Sequence, residues 1–210
     1  MSLKFNTLII LLEIILVTSC KKKDAFFVLT GTVNDVTFNT SLNNAQVDLY
    51  QVNAGSAEVK LVETALIGSD GKYSFRIKRD KIEKFILKIH KLNYFEIEKT
   101  IYFAELSVEK DNVYNFETKA KGWLRLNLNN LNPQPTDVLE YVRQQGKYGC
   151  TECCPNGVQL VYGANNSSTI CVNDGNTVYE IFYKMQGQSV GTMVSINTVA
   201  FDTTDLTINY

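Results

Sequence analysis

The sequence predicts an all-β fold: two small β-sandwich domains in series behind an N-terminal export signal. Short runs that alternate apolar and polar residues recur at fairly even spacing, with turn residues between them, which is the pattern of sandwiches. Helical periods are nearly absent. Hydrophobic residues fill 45% of the 210 positions while Gly and Pro number only 12 and 3, so the chain can bury a core and is no low-complexity polymer.

Residues 1–19 are expected to form the leader. Lys4 precedes an apolar run over residues 8–17, interrupted by Glu13, and then come Thr18, Ser19 and Cys20. A cation, an apolar stretch and a small-residue end make the layout of a secretory signal. The run is about ten residues where a stable membrane-crossing helix needs roughly twenty, so no permanent span is expected. A buried first strand or helix is the competing reading, and it needs neither the basic start nor the terminal Cys. Val17-Thr18-Ser19-Cys20 resembles the lipobox of bacterial lipoproteins. That resemblance implies cleavage before Cys20 and acylation of its thiol, palmitate included, with each buried methylene contributing about 0.8 kcal/mol to anchoring. It also implies the outer membrane as the location, lipid-anchored, with the periplasmic or the surface face left open, since only Asp24 follows Lys21, Lys22 and Lys23. The lysines either add about 1 kcal/mol each at an anionic surface or simply solvate a tether over residues 20–26.

A first domain is expected over residues 27–120. Its candidate strands are 27–33, 45–52, 59–67, 72–77, 84–90, 95–103 and 113–118. Val47 and Leu49 fall on one face of their strand with Asp48 opposite, as in a sheet wet on one side. Gly31-Thr32-Val33, then Leu42-Asn43-Asn44-Ala45-Gln46-Val47-Asp48-Leu49, then Ser69-Asp70-Gly71-Lys72-Tyr73-Ser74-Phe75 together resemble the carboxypeptidase regulatory-like, or transthyretin-like, domain. The resemblance covers residues 28–118 and implies a small β-sandwich without implying an activity. Asp70-Gly71 also suits the positive φ of a tight hairpin, after which Tyr73 and Phe75 share a face.

A second sandwich, over residues 121–210, opens with Trp123-Leu124-Arg125-Leu126-Asn127-Leu128, whose leucines lie on one face. An Asn- and Pro-rich loop follows at 129–135. Further strands are expected at 138–143, 158–162, 169–172, 177–185, 193–199 and 206–209; the apolar positions of 138–143 also fit the start of a helix.

The densest chemistry is Cys150-Thr151-Glu152-Cys153-Cys154-Pro155 with Cys171 beyond. Apart from Cys20 these four thiols are an even set in an exported chain, so disulfides are expected. Joining the neighbours Cys153 and Cys154 would strain the backbone. Cys171 is therefore expected to pair with one of them and Cys150 with the other, each bond contributing about 2 to 4 kcal/mol. The competing readings are a four-thiolate zinc site and a thiol oxidoreductase. The first lacks a second Cys-x-x-Cys, and the second lacks a helix behind its Cys because Cys154-Pro155-Asn156-Gly157 reads as a turn.

His90, the single histidine, sits in an alternating run and reads as a strand-face residue. No phosphate-cradling glycine loop, Gly-x-Ser-x-Gly or His-Glu-x-x-His is present. Asp174-Gly175-Asn176 reads as a hairpin turn, with one carboxylate where a calcium loop needs several. Tyr94, Phe95, Tyr102, Tyr141, Tyr148, Tyr162, Tyr179 and Tyr183 supply either core and cross-strand pairs or a platform for a sugar ring or partner protein. The formal charge of −1 is interspersed along the chain, so no nucleic-acid partner is expected. The expected protein is a non-enzymatic envelope lipoprotein with a structural or protein-contact role. No catalytic residue, metal or cofactor is assigned, and the expected partners are a membrane through the lipid, then envelope proteins or glycans. Glycan capture is the second reading and a hydrolase acting through two carboxylates the third.

Overall fold

The computed structural model describes residues 25–210. The leader and Cys20, with its assigned acylation, lie outside the described residues. In chain order the strands are β1 (Phe26–Asp35), β2 (Thr40–Ser41), β3 (Gln46–Asn53), β4 (Val59–Leu66), β5 (Lys72–Lys78), β6 (Ile82–His90), β7 (Ile97–Tyr102), β8 (Asn112–Val113) and β9 (Phe116–Thr118). They continue with β10 (Lys121–Asn129), β11 (Val138–Gln145), β12 (Val158–Tyr162), β13 (Ser167–Asp174), β14 (Thr177–Met185), β15 (Thr192–Thr198) and β16 (Thr203–Asn209). The fold is an all-β sandwich architecture.

Alternation in sequence becomes alternation in burial. In β1 the buried residues are Phe27, Leu29, Gly31, Val33 and Asp35, and in β5 they are Tyr73, Phe75 and Ile77. These two strands pair antiparallel, with Leu29 opposite Phe75. On the other edge of β1 the short strands β8 and β9 run parallel to it. A second sheet, β4-β3-β6-β7, is antiparallel throughout. Val47 and Leu49 of β3 and Phe85, Leu87 and Ile89 of β6 close over the first sheet in one buried cluster that reaches as far as Ala120. Removing that apolar surface from water, at roughly 25 cal/mol per Å², is the main force holding the sheets together.

The later strands repeat the plan. Leu124, Leu126 and Leu128 of β10 meet Leu139, Tyr179, Ile181, Leu206 and Ile208 in a second buried cluster. One sheet has the order β13-β10-β16 and its opposite β12-β11-β14-β15. Segment 138–143 is strand, pairing with β12 and β14, and it buries Leu139 and Arg143.

Three local features of the strands up to β9 differ from the sequence reading. Asp70-Gly71 is a turn, with Gly71 at φ +75°, but it carries the chain from β4 to β5, which lie in different sheets, so it is a crossover and no hairpin. Segment 113–118 is broken at Tyr114 and Asn115, which bridge to β1 by other means: Tyr114 N donates to Thr30 O at 2.8 Å, and Asn115 Oδ1 accepts from Thr32 N at 2.9 Å. Segment 95–103 is strand only over β7 and then tightens into a 3₁₀ turn at Phe103–Glu105. There the Glu105 carboxylate accepts from Tyr102 N at 3.1 Å and ends the extension.

Buried phenols make the fold sensitive to alkali. Tyr73 donates to Tyr114 O at 2.7 Å and Tyr94 to Asp35 Oδ2 at 2.7 Å. Burial pushes both phenols above their ordinary range, helped for Tyr94 by the Asp35 carboxylate, and it pushes Tyr179 up to about 12. A phenol whose folded pKa is raised holds its proton longer in the folded state, so stability is full below about pH 10 and falls as the pH rises further. Phenolate absorbance is therefore expected to show a late component that rises together with the loss of β-sheet circular dichroism. Full ionisation with the circular dichroism intact would contradict it.

Candidate functional site

The cysteine segment lies where the two clusters of buried residues meet, and it is built from the backbone outward. Cys150 is bonded to Cys153 and Cys154 to Cys171, closing loops with sequence separations of 3 and 17. The second bond ties the segment to β13, where Cys171 lies opposite Leu124. Cys153 also bridges to Val172, and Val172 N donates to Glu152 O at 2.9 Å. With both bonds formed, the thiols are neither zinc ligands nor free nucleophiles.

Arg143 organises the same segment from within. It is buried at 7% exposure, and its Nη1 donates to Cys154 O at 2.9 Å and to Lys147 O. Its Nη2 donates to Asn156 Oδ1, and its plane lies 4.0 Å from the centre of the Tyr148 ring. Nε has no hydrogen-bond partner among the described residues. A buried guanidinium needs such carbonyl partners to offset its lost hydration. It is thus a structural tie with its donors turned toward the loop.

Asp174-Gly175-Asn176, read from the sequence as a hairpin turn, instead carries the chain from β13 to β14, which lie in different sheets, and Asp174 is the electrostatic centre of the junction. Lys119 Nζ lies 2.7 Å from Oδ2, and Lys147 Nζ lies 3.4 Å from Oδ1, which accepts no hydrogen bond. The Lys147 ammonium also sits 4.2 Å from the centre of the Phe95 ring, and Lys121 pairs with Glu152 at 2.6 Å. Backbone bonds fix the same region: Ala120 O accepts from Gly175 N at 2.8 Å, and Lys121 O from Phe201 N at 2.8 Å. Phe201 stacks on Phe38 and meets Tyr94 edge-on, so aromatic packing continues across the junction.

His90 faces outward on the sheet β4-β3-β6-β7, with Nδ1 3.8 Å from Asp48 Oδ2. Asp48 is 7% exposed even though it points away from the core, because Thr64 Oγ1 donates to it at 2.6 Å and Gln46 Nε2 at 2.9 Å. Across the strands Asp48 lies opposite Lys88, and Lys88 opposite Glu98, to which it is paired at 2.9 Å. The Glu98 carboxylate raises the Lys88 ammonium above its ordinary range. The cluster is a set of mutually satisfied polar contacts on the outer face of the sheet.

The aromatic candidates separate by environment. Tyr94 and Tyr179 are buried, and Tyr141 and Tyr183 pack against the second core. Phe95 lies at the junction under Lys147. Tyr102, Tyr148 and Tyr162 are exposed, on β7, on the cysteine segment and at the end of β12 respectively. These three do not form a row on one sheet. Tyr50, which carries no distinguishing sequence signal, stands on the outer face of β3 with the Lys88 ammonium 5.9 Å from its ring centre.

No family model matches the chain, and no curated relative matches it. Among solved structures, it is similar to the minor pilin GBS52 of Streptococcus agalactiae, with 12% identity, 87% of this chain and 94% of that one covered, and a TM-score of 0.37. It is also similar to the shaft pilin SpaA of Lactobacillus rhamnosus GG (9% identity, 89% and 98% covered, TM-score 0.35). A third similarity is to catechol 1,2-dioxygenase of Pseudomonas arvilla C-1 (13% identity, 49% of this chain and 54% of that one, TM-score 0.34), so the chain spans about half the length of that enzyme.

Proposed function

We propose that this protein is a membrane-anchored lipoprotein of the cell envelope, held at the outer membrane by acyl chains on Cys20, with a non-enzymatic role in structural presentation or protein contact. The observation that supports the contact role is a pair of open strand edges. β4 ends its sheet and exposes Val59, Leu61, Val62 and Leu66, and β12 ends its own sheet and exposes Val158, Leu160 and Tyr162. Edge strands are usually protected by charge, proline or a bulge, and Val158-Gln159-Leu160-Val161-Tyr162 has no charge and no proline. Exposed apolar patches of this kind are where soluble domains meet partners. Strand addition would use the free backbone groups of such an edge.

Two measurements test the two parts. Cys20→Ala is expected to move the protein from the detergent phase to the aqueous phase on detergent partition of whole envelopes, with loss of incorporated palmitate. Retention of the Cys20→Ala protein in the detergent phase would remove the anchor. Leu160→Lys, which places a charge on an exposed position, is expected to leave the melting temperature unchanged and to remove adducts formed by a photo-cross-linker at position 162 in intact cells. Adducts of unchanged yield would remove the β12 edge from the contact role.

A further inference from the structure

The chain has no charged residue between Glu152 and Asp174, although 20% of its residues are charged. That stretch holds β12 and β13, each at the end of its own sheet. Charge or a bulge guards the edges at β4, β7 and β16. β4 carries Lys60 and Glu63 and shifts its register between Leu61 and Glu63, β7 carries Glu98 and Lys99, and β16 carries Asp205. β13 is covered near one end, where Cys153 bridges to Val172. β12 has no such guard, and among the described residues it pairs with β11 alone.

Backbone direction fixes what can fill this edge. Gly163 N donates to Asp137 O at 2.7 Å, so residues 159, 161 and 163 turn their N–H and C=O groups toward β11. Alternation turns those of Val158, Leu160 and Tyr162 outward. We infer that the occupant is a second copy of this chain, whose β12 pairs antiparallel with β12 about a two-fold axis at Leu160. The inference deepens the contact role proposed for the β12 edge and rests on it. In this register Leu160 faces Leu160 of the second copy and Val158 faces its Tyr162, and each facing pair exchanges both backbone hydrogen bonds. Every outward group of the strand is then matched. Moving the axis by one residue leaves Val158 or Tyr162 without a partner in the strand.

The side chains agree with that register. Val158, Leu160 and Tyr162 are exposed together on the outer face. From Val158 an apolar row runs across the sheet through Val142 and Phe182 to Met193, each opposite the next. Pairing sets Tyr162 of the second copy beside Val158 at the end of this row, an aromatic against a β-branched residue, which stabilises sheets. The Gln159 amide nitrogen donates to Asn156 O at 3.0 Å and Gly157 O at 3.4 Å, so it brings no unmatched donor to the closed edge. A charged partner finds no counter-charge here, whereas an identical edge requires none. Because both copies use the same patch, the contact is isologous and closes at two.

Sedimentation equilibrium of the full chain in density-matched detergent, at a low ratio of protein to micelles, tests this. A reversible dimer with a Kd of about 1 to 100 μM is expected, because one strand pair is a contact at the low end of interface sizes. Position 160 faces itself, so Leu160→Lys and Leu160→Glu should each weaken association about tenfold or more by setting like charges opposite one another. Their equimolar mixture should return to within about threefold of the wild type, since opposite charges then meet. A monomer throughout, open-ended polymers built by pairing β12 with the uncharged edge strand β15 of the next copy, or a mixture as weak as either variant alone would each overturn the inference. A chain that is monomeric when purified but still gives adducts at position 162 in cells would overturn the second copy and leave the contact role standing, whereas absence of those adducts would remove the contact role itself.

Discussion

Gly31→Val is expected to destabilise the protein by about 4 kcal/mol, at the upper end of what overpacking and a lost buried hydrogen bond cost together. A Cβ at position 31 would lie 1.8 Å from Tyr114 O and 2.9 Å from the Tyr73 hydroxyl. The obstacle is backbone, and it is held there: Tyr114 N bonds Thr30 O, and the Tyr73 phenol bonds Tyr114 O at 2.7 Å. Relief therefore requires parting β1 from the segment between β8 and β9 and leaving a buried phenol without its acceptor. Gly55 is the matched control, since it has a positive φ of +80° but nothing within 4 Å of an added Cβ. Gly55→Ala should cost no more than about 1 to 3 kcal/mol of backbone strain. Urea unfolding followed by circular dichroism measures both, and a Gly31→Val loss no larger than that of Gly55→Ala would remove the close approach as the reason for glycine here.

Gly31 also marks the boundary between what is local in this chain and what is not. Strands such as β5 and β10 are legible from residues alone, because a period of two between turn residues is a local property and burial follows it residue by residue. The break at Tyr114 and Asn115 is not legible. It is caused by Thr32 and Tyr73, distant in sequence, drawing the carbonyl of one and the side chain of the other out of the strand. Asp174 is a similar case. Its turn is visible in Asp-Gly-Asn, whereas its pairing with Lys119 and Lys147 depends on how the sheets meet. Arg143 reads as the polar end of a strand, and only the folded cysteine segment gives its donors their acceptors. The cysteines stand between the two. Adjacency of Cys153 and Cys154 leaves two pairings open, and the position of Cys171 beside Leu124 selects Cys154 as its partner.

The second large effect is expected at Cys154–Cys171. Replacing both residues by Ala is expected to cost about 3 kcal/mol, and replacing Cys150 and Cys153 about 2 kcal/mol, because loop-closure entropy grows with the number of residues enclosed. The sequence separations of 17 and 3 set that order. Packing acts in the same direction: Cys154 and Cys171 belong to the buried cluster with Leu124, so their loss also leaves a void, whereas Cys150 and Cys153 are only half-buried. The consequence extends beyond the loop. Without the bond to β13, Arg143 loses a fixed Cys154 carbonyl, and Lys147 and Glu152 lose the frame that points them at Asp174 and Lys121. Trp123, the single tryptophan of the sequence, lies opposite Val172 on the face of β10 away from the leucines, next to Cys171 of β13, and reports on the attachment of that strand. Tryptophan fluorescence in urea should therefore show a lower midpoint for the Cys154→Ala/Cys171→Ala protein than for the Cys150→Ala/Cys153→Ala protein. The reverse order would mean that the small exposed ring, and not the bond to β13, holds the segment against the junction.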